Sequence, residues 1–153
     1  MFNVIIQTEP FSLAQEEQKL NTQEQDCGAL VIFQGMVRGK DGQKDLSQLY
    51  LEHYPEVTEK EIQRIINLAK ERWAIKLCHI IHRVGHLSVG EPIVLIITAA
   101  AHRKDAFAAN EFIMDFLKTE APFWKKECFV NGQDKWVEAK ASDTQAKKRW
   151  DTP

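Results

Sequence analysis

Cysteine is scarce in this chain of 153 residues, and no CxxC pattern occurs. The three cysteines, Cys27, Cys78 and Cys128, are odd in number and widely spaced. They indicate neither a disulfide framework nor a zinc knuckle. The first ten residues also lack the basic start and long apolar run of a signal peptide. These features favour a cytoplasmic protein.

Other absences narrow the classes of function. The longest apolar run, 93–101, is far too short to cross a bilayer, which predicts no membrane partner. A net charge of -2 and a pI near 6.2 leave no global basic field to attract nucleic acid. No internal repeat, glycine-rich phosphate loop, Ser-His-Asp set or paired-carboxylate signature is present. We therefore expect one folded domain over 1–153, with a polar, basic tail at about 141–153.

Hydrophobic periodicity predicts two long helices. One covers 58–73, opened by a Thr58-x-x-Glu61 capping box, and the other covers 103–119. Ser12 and Gln15 form the same pattern before a short helix, and Asn131-Gly132 indicates a hairpin. The tail is compatible with a further helix. Two long helices with about five to seven strands predict an α+β fold. The strands are expected within 2–8, 29–39, 46–54, 76–85, 92–101, 123–130 and 134–139.

Three histidines, His79, His82 and His86, have a spacing that suggests a metal site. On a helix the spacing could converge, but the surrounding β-branched run favours a strand. Side chains alternate along a strand, so His79 and His82 are expected on opposite faces. We interpret them as ordinary polar or half-buried histidines.

Basic residues at the ends of two buried strands are candidate anion ligands. His102 and Arg103 stand where a strand ends and a helix begins, and a helix N-terminus favours phosphate. Exposed side chains beside a helix capped by Asp105 explain the same residues equally well. Arg38 follows another apolar strand, where it needs an anionic partner or a route to water.

Lysines surround the Pro122 turn in the stretch FLKTEAPFWKKE. Lys118 ends its helix, where a cation offsets the helix dipole, which is a complete structural explanation. Strand alternation after Pro122 places Lys125 and Lys126 on opposite faces. Amines near an apolar wall or another cation lose protons more easily, so Lys118 and Lys125 could serve one pocket as bases or nucleophiles. Spacing alone favours ordinary surface lysines.

Five long motifs occur in fixed order between about Phe11 and Trp150. They are LEHYPEVTEK, IHRVG, AHRKDAF, FIMDFLKTEAPFWKKE and WVEAKASDTQAKKRW. Together they resemble the large, catalytic subunits of molybdopterin synthase, the MoaE family. Several long motifs in order are more specific than any short pattern.

The resemblance implies a fold, partners and a reaction. The fold would be α+β of the α/β-hammerhead type with an additional β-rich subdomain. The chain would form a homodimer with a small ubiquitin-like subunit at each end, a heterotetramer. The small subunit's Gly-Gly tail, carried as a thiocarboxylate, would enter a pocket and give two sulfurs to cyclic pyranopterin monophosphate. The product would be the dithiolene of molybdopterin. Because molybdenum joins that product later, the resemblance implies no metal site and no bound cofactor in this chain.

The resemblance also assigns roles to the lysines of FLKT and FWKKE. Lys118 and Lys125 would be the catalytic pair, and Lys126 and Glu127 would help to line the substrate pocket. The two lysines would move protons and stabilise negative charge as sulfur attacks. A covalent lysine intermediate with the partner's tail is a secondary hypothesis.

Further positions are implied to bind substrate. Arg38, with Met36 and Val37 beside it, and the pair His102 and Arg103 would hold the phosphate. Lys140 would complete that set across the dimer. Family members often have lysine where Met36 stands and arginine where Lys140 stands, so the phosphate grip at Lys140 would be looser. Loop 40–45 matches poorly and is given no role.

Two alternatives from other classes remain at this point. A non-catalytic binding module could use the basic cluster, the four tryptophans and the AKKRW tail to dock an acidic partner or RNA. A catalytically silent scaffold is a second alternative, and retention of Lys118 and Lys125 argues against it. Salt-sensitive retention of RNA would favour the binding module.

Overall fold

The structure is a computed structural model that describes residues 1–138 and 141–151. This part of the chain contains nine strands and four α-helices in mixed order, which confirms the predicted α+β class. No helix among the described residues is both long and apolar enough to cross a membrane. The strands are β1 Phe2–Gln7, β2 Ala29–Met36, β3 Lys40–Asp41, β4 Lys44–His53, β5 Ile75–Arg83, β6 Gly85–Ser88, β7 Pro92–Ala100, β8 Phe123–Phe129 and β9 Asp134–Val137. The helices are α1 Leu13–Gln18, α2 Val57–Arg72, α3 Arg103–Thr119 and α4 Ala141–Lys148, followed by a 3-10 turn at Arg149–Asp151.

The strands form two sheets. The first has the order β1-β5-β7-β2, in which β1 runs parallel to β5 and the other neighbours are antiparallel. The second has the order β3-β4-β8-β9, with β6 also paired to β4. Strands β3 and β6, with two and four residues, were not predicted as separate strands from hydrophobic periodicity. Such short segments carry too few residues for a period to be visible.

Apolar faces of α2 and α3 cover one face of the first sheet. Buried isoleucines of α2 and Phe112 of α3 pack there against Ile80 and Ile96 of the sheet. The opposite face packs against the N-terminal segment, including Phe11 and Leu20. A separate cluster lies between the second sheet and the end of the first; its buried members are Val37, Leu49, Leu51, Val84 and Leu87.

The helix starts test the predicted caps. Ser12 caps α1 as predicted, and its hydroxyl oxygen accepts a hydrogen bond from the Gln15 N–H at 3.4 Å. The predicted cap of α2 at Thr58 is wrong, because Glu56 and Glu59 form the capping box. Thr58 is instead buried, and its hydroxyl donates to the carbonyl oxygen of Pro122 at 3.0 Å. That bond ties α2 to the turn between α3 and β8.

The basic tail docks onto the helices rather than extending from them. Trp150 packs edge-on against Trp73 and Phe112, with ring centroids 5.3 and 5.5 Å apart. Its indole N–H donates to Asp115 at 2.7 Å, and Arg149 contacts the same carboxylate at 2.6 Å. These contacts hold α4 beside α3, near the C-terminal end of that helix.

Gly28 is a position where any side chain would collide with the backbone. A Cβ atom there would lie 2.3 Å from the carbonyl oxygen of Ala101, and the Gly28 N–H donates to Ala100 at 3.0 Å. We expect Gly28→Ala to lower the free energy of unfolding by about 2 kcal/mol, because backbone must shift to relieve the overlap. Urea unfolding measures the change. Gly42→Ala, whose Cβ would meet nothing within 4 Å but has φ +63, should cost less, and an equal loss would contradict the steric argument.

Candidate active site

A cavity of about 280 Å³ lies where the two sheets and the C-terminal end of α3 meet. The first sheet contributes the end of β2, the end of β5 and the start of β7. These three segments lie at the same end of the sheet because β7 is antiparallel to both of its neighbours. The second sheet covers this end of the first sheet with residues of β4 and β8 and with the end of β9. The walls are largely apolar, as in most small-molecule sites. The apolar wall residues are Phe33, Met36, Leu49, Leu51, Ile93, Val94, Met114, Leu117, Phe123 and Val137.

Lys118 and Lys125 both line this cavity. Lys118 occupies the last turn of α3, and Lys125 stands in β8 on the face that also carries Phe123. The Pro122 turn reverses the chain between them, so the two residues reach one cavity from different elements. Both residues therefore line one cavity, while the convergence of their amines and their catalytic role stay predictions.

His82 lines the same cavity, although its sequence pattern suggested an ordinary histidine. Its ring stacks on Phe123 with centroids 4.0 Å apart and planes 19° from parallel. Its Nδ1 lies 2.9 Å from the Arg83 carbonyl oxygen and donates to it. Burial lowers the pKa of His82 to about 4; the bond to Arg83 opposes this, and the nearby Lys118 and His53 add to it. His82 is thus neutral at physiological pH.

His79 faces the other way, as alternation predicts. It is 2% exposed, and its Nε2 lies 2.8 Å from the buried Glu16 carboxylate of α1. His86, on strand β6, packs against Tyr50 on the outer face of the second sheet, with ring centroids 4.7 Å apart and planes tilted by 43°. The three histidines therefore do not meet. Among the described residues, no group of three or more His, Cys, Asp or Glu side chains is placed to hold a metal ion.

His102 and Arg103 stand at the opposite end of α3 from Lys118. His102 is the N-cap residue without a side-chain cap bond, Arg103 begins the helix, and both are exposed. Asp105 lies in the first turn but does not cap the helix. An α-helix rises about 1.5 Å per residue, so roughly 22 Å separates Arg103 from Lys118 along the axis. One chain alone does not bring this pair to the cavity.

Met36 at the end of β2 and the two residues that follow it, Val37 and Arg38, have different surroundings. Met36 lines the cavity and is 45% exposed. Val37 is 2% exposed and packs in the core cluster below, so its side chain is structural. Arg38 is exposed beyond it, which is the route to water that the sequence required. Arg38 is not one of the described residues that line the cavity.

Lys126 and Glu127 have different surroundings from Lys125. Lys126 lies on the outer face of the second sheet, with its Nζ 5.4 Å from the ring centroids of both Tyr50 and Trp136. Glu127 is 8% exposed, shares the inner face with Lys125 and is absent from the cavity wall among the described residues. Neither lines this cavity within one chain. Lys140, the remaining predicted substrate ligand, lies outside the described residues.

Several wall residues were not predicted from the sequence. Phe33 and Met114 supply flat and polarisable apolar surface, and Glu138 and Asp143 add carboxylates to the wall. Met114 lies within the FIMDFLKTEAPFWKKE motif, and Phe33 lies on the strand that leads to Arg38, so the sequence could have suggested both. Nothing local marks Asp143, because only the docking of α4 brings it to the cavity.

Comparison with known proteins assigns this arrangement to a family. The profile of the MoaE protein family matches residues 6–120, which is most of the chain and includes the three strands of the first sheet that line the cavity. The chain belongs to the MoaE family.

Relatives within the MoaE family match nearly end to end. A molybdopterin synthase catalytic subunit from Haemophilus influenzae is 48% identical over 147 residues, covering 96% of this chain and 97% of that protein. The solved structure of a molybdopterin biosynthesis MoaE protein from Burkholderia ambifaria superposes with a TM-score of 0.83 at 44% identity, and the match covers all of both chains. Molybdopterin synthase from Staphylococcus aureus superposes with a TM-score of 0.80 at 32% identity, over 88% of this chain and 96% of that one. The MoaE fold is therefore shared across the two sheets that build the cavity.

Proposed function

We propose that this MoaE-family chain is the catalytic subunit of a molybdopterin synthase, a sulfurtransferase of molybdenum cofactor biosynthesis. It transfers sulfur from the thiocarboxylated C-terminus of a small ubiquitin-like subunit to cyclic pyranopterin monophosphate, and so forms the dithiolene of molybdopterin. The observation that carries the proposal is the pair of lysines, Lys118 and Lys125, in one largely apolar cavity. The similarity to a molybdopterin synthase catalytic subunit, 48% identity over nearly the whole length of both chains, supports it.

The cavity suits the chemistry of the two reactants. A thiocarboxylate and a cyclic phosphate are both anionic, and two ammonium groups in a partly desolvated space attract them more strongly than in water. The flat aromatic walls at Phe33 and Phe123 match a planar pterin ring, and the thioethers of Met36 and Met114 offer polarisable contacts. Lys118 and Lys125 then stabilise the negative charge that develops as sulfur attacks, and they move protons as the cyclic phosphate opens.

The phosphate-binding residues come from a second copy of the chain in our proposal. Arg38 follows the wall residue Met36 by two positions, but Arg103 is roughly 22 Å from Lys118 along α3 of the same chain. A homodimer that places the α3 N-terminus of one copy beside the cavity of the other unites the two basic sets. Lys140 is the further candidate for this set. With one small subunit at each cavity, the assembly is a heterotetramer.

Partner binding follows from the shape of the reactant. The similar protein from Haemophilus influenzae is called a catalytic subunit, a term for one part of an enzyme that has more than one kind of subunit. An extended Gly-Gly tail is narrow enough to reach Lys118 and Lys125 from the surface, because glycine carries no side chain. The small subunit therefore docks outside the cavity and inserts only its C-terminus.

The test is reconstitution of sulfur transfer. The purified chain is mixed with the cognate small subunit as a C-terminal thiocarboxylate and with cyclic pyranopterin monophosphate, and the product is measured by mass spectrometry. We expect molybdopterin to form with two thiocarboxylates consumed per product. The small subunit with an ordinary carboxylate is the matched control and should yield none. Absence of product from folded, associated subunits, together with salt-sensitive retention of RNA, would favour the non-catalytic binding module.

A further inference from the structure

Two carboxylates line the cavity without a role in the lysine-based mechanism. They belong to Glu138, directly after β9, and to Asp143, in the first turn of α4. Both reactants of the proposed sulfur transfer are anionic, so a carboxylate in the wall repels their charged groups. An ionised carboxylate accepts hydrogen bonds and donates none. A neutral group with N–H donors is therefore the part of a ligand that such a wall attracts.

The Asp143 carboxylate is an acceptor without a partner in the part of the chain that the structure describes. Neither a hydrogen bond nor an ion pair joins it to another residue of 1–138 or 141–151, although the residue is half-buried. A carboxylate in the first turn of a helix also offsets the helix dipole. That interaction accounts for the charge of Asp143 but not for its place in the cavity wall. A donor from a ligand would offset the cost of partial desolvation.

Contacts on one face of α4 fix the direction of Asp143. Lys147 follows it by four positions, so the two side chains lie on the same face of the helix, one turn apart. The Lys147 Nζ lies 3.2 Å from the carboxylate of Glu120, the C-cap residue of α3. The face that carries Asp143 is therefore turned toward the end of α3 where Lys118 lines the cavity. The contacts of the following 3-10 turn to α3 hold this arrangement in place.

A pterin ring carries the donors that this acceptor lacks. Its pyrimidinone ring has a 2-amino group beside a ring N–H, and the two N–H bonds point the same way, as they do along one side of a guanidinium. A carboxylate accepts such a fork with both oxygens, and an ionised acceptor makes both bonds stronger than neutral ones. The phosphate and the carbons that receive sulfur lie at the other end of cyclic pyranopterin monophosphate. Binding of the amino edge at one carboxylate therefore orients the whole molecule.

We propose that Asp143 is a specificity-determining residue of the cavity: its carboxylate accepts two hydrogen bonds from the 2-amino group and the adjacent ring N–H of a pterin. A ring with an oxygen in place of the amino group is rejected, because its carbonyl oxygen faces the carboxylate and leaves it poorly paired. The inference rests on the proposed sulfur transfer for the identity of the substrate, but binding of the ring is measured without that reaction.

The test compares two fluorescent heterocycles that differ at this one carbon. Pterin-6-carboxylate has the 2-amino group, lumazine-6-carboxylate has an oxygen there, and both carry the same anionic group on the other ring. Their dissociation constants for the purified chain are measured by fluorescence anisotropy at a pH at which both pyrimidine rings are neutral. We expect the wild-type chain to bind the pterin at least about 10-fold more tightly, because a site built for donors loses its hydrogen bonds to the oxo compound.

Matched variants assign this preference to one carboxylate. Asp143→Asn keeps the size of the side chain but replaces one acceptor by a donor, so we expect the preference to fall below about 3-fold. Asp143→Glu keeps both oxygens and should still prefer the pterin. Glu138→Gln changes the other wall carboxylate, and Asp134→Asn changes an exposed carboxylate of β9 that is not among the described wall residues. Both should match the wild type.

Three results would overturn the proposal. The first is a wild-type chain that binds the two rings equally or shows no saturable binding of the pterin. The second is an unchanged preference in folded Asp143→Asn. The third is a preference that Glu138→Gln loses and Asp143→Asn keeps. Thermal unfolding checks each variant, and α4 buries none of its residues, so we expect them to fold. Asp143→Ser is the second variant if Asp143→Asn does not fold, and it should lose the preference as well.

Sulfur transfer provides a second readout. Asp143→Asn should raise the KM for cyclic pyranopterin monophosphate about 10-fold and leave kcat within about 3-fold, because bonds to the amino edge are made equally in the ground state and the transition state. A wild-type KM in folded Asp143→Asn would overturn the role of Asp143. If the wild-type chain makes no product, the proposed sulfur transfer fails, while the ratio of the two affinities still tests Asp143.

Discussion

Lys118→Ala is expected to reduce sulfur transfer by at least about 100-fold while the fold stays intact. Removing one preorganised donor to a developing anion costs roughly 2.7–4 kcal/mol of transition-state stabilisation in enzymes of this kind of chemistry. The stability cost is small, because Lys118 is exposed in the last turn of α3 and loses only its interaction with the helix dipole, about 0.3–1 kcal/mol. The measurement is the initial rate of molybdopterin formation at saturating thiocarboxylated partner, beside thermal unfolding of the same sample.

The matched control for Lys118 is Lys60→Ala on α2, which removes the same charge from an exposed helical position away from the cavity. It should retain the wild-type rate. Lys125→Ala should lose activity to a similar extent, and the double variant should lose little more, since residues that act as a unit are not additive. A near-normal rate in folded Lys118→Ala would remove this lysine from the catalytic role.

The sequence predicted those parts of the site that depend on local periodicity. The helix α3 has the predicted bounds, so Lys118 stands at its end as expected. The hairpin at Asn131-Gly132 is present, with Gly132 at φ +86, and β8 alternates as expected between Lys125 inside and Lys126 outside. Each of these features depends on residues fewer than about ten positions apart. Sequence periodicity predicts secondary structure over that range.

The remaining features depend on contacts between distant segments. Alternation could place His82 opposite His79, but only the crossing of β8 over the end of β5 makes it a cavity wall. The start of α2 was missed because Glu56 adopts a φ of +72, a backbone choice that the Thr58-x-x-Glu61 pattern does not reveal. Thr58 serves a long-range bond to Pro122 instead. A polar residue near the start of a helix can therefore cap the helix or bond to a distant segment, and the tertiary fold decides which of the two it does.

The distance of Arg103 from Lys118 leads to a prediction about two inactive chains. Arg103→Ala removes a proposed phosphate ligand and should lower the rate at least about 10-fold, because charge-assisted bonds to phosphate are strong. If Arg103 acts in the cavity of the other copy, a mixed dimer of Lys118→Ala and Arg103→Ala chains contains one site with both residues native. Random pairing in a two-fold symmetric dimer then restores roughly a quarter of the wild-type sites. The measurement is the rate after the two chains are co-expressed, with mixed dimers quantified by native mass spectrometry.

The control for this mixture is the pair Lys118→Ala and Lys125→Ala. Both lysines line the cavity of one chain, so every site of a mixed dimer lacks one of them and no activity should return. Recovery in the first mixture and none in the second would assign Arg103 to the partner's cavity and the two lysines to the same one. No recovery in the first mixture, with mixed dimers present, would mean that Arg103 does not act across the dimer. The roughly 22 Å along α3 would then exclude Arg103 from sulfur transfer altogether, because one rigid helix cannot bring both of its ends to one reacting group.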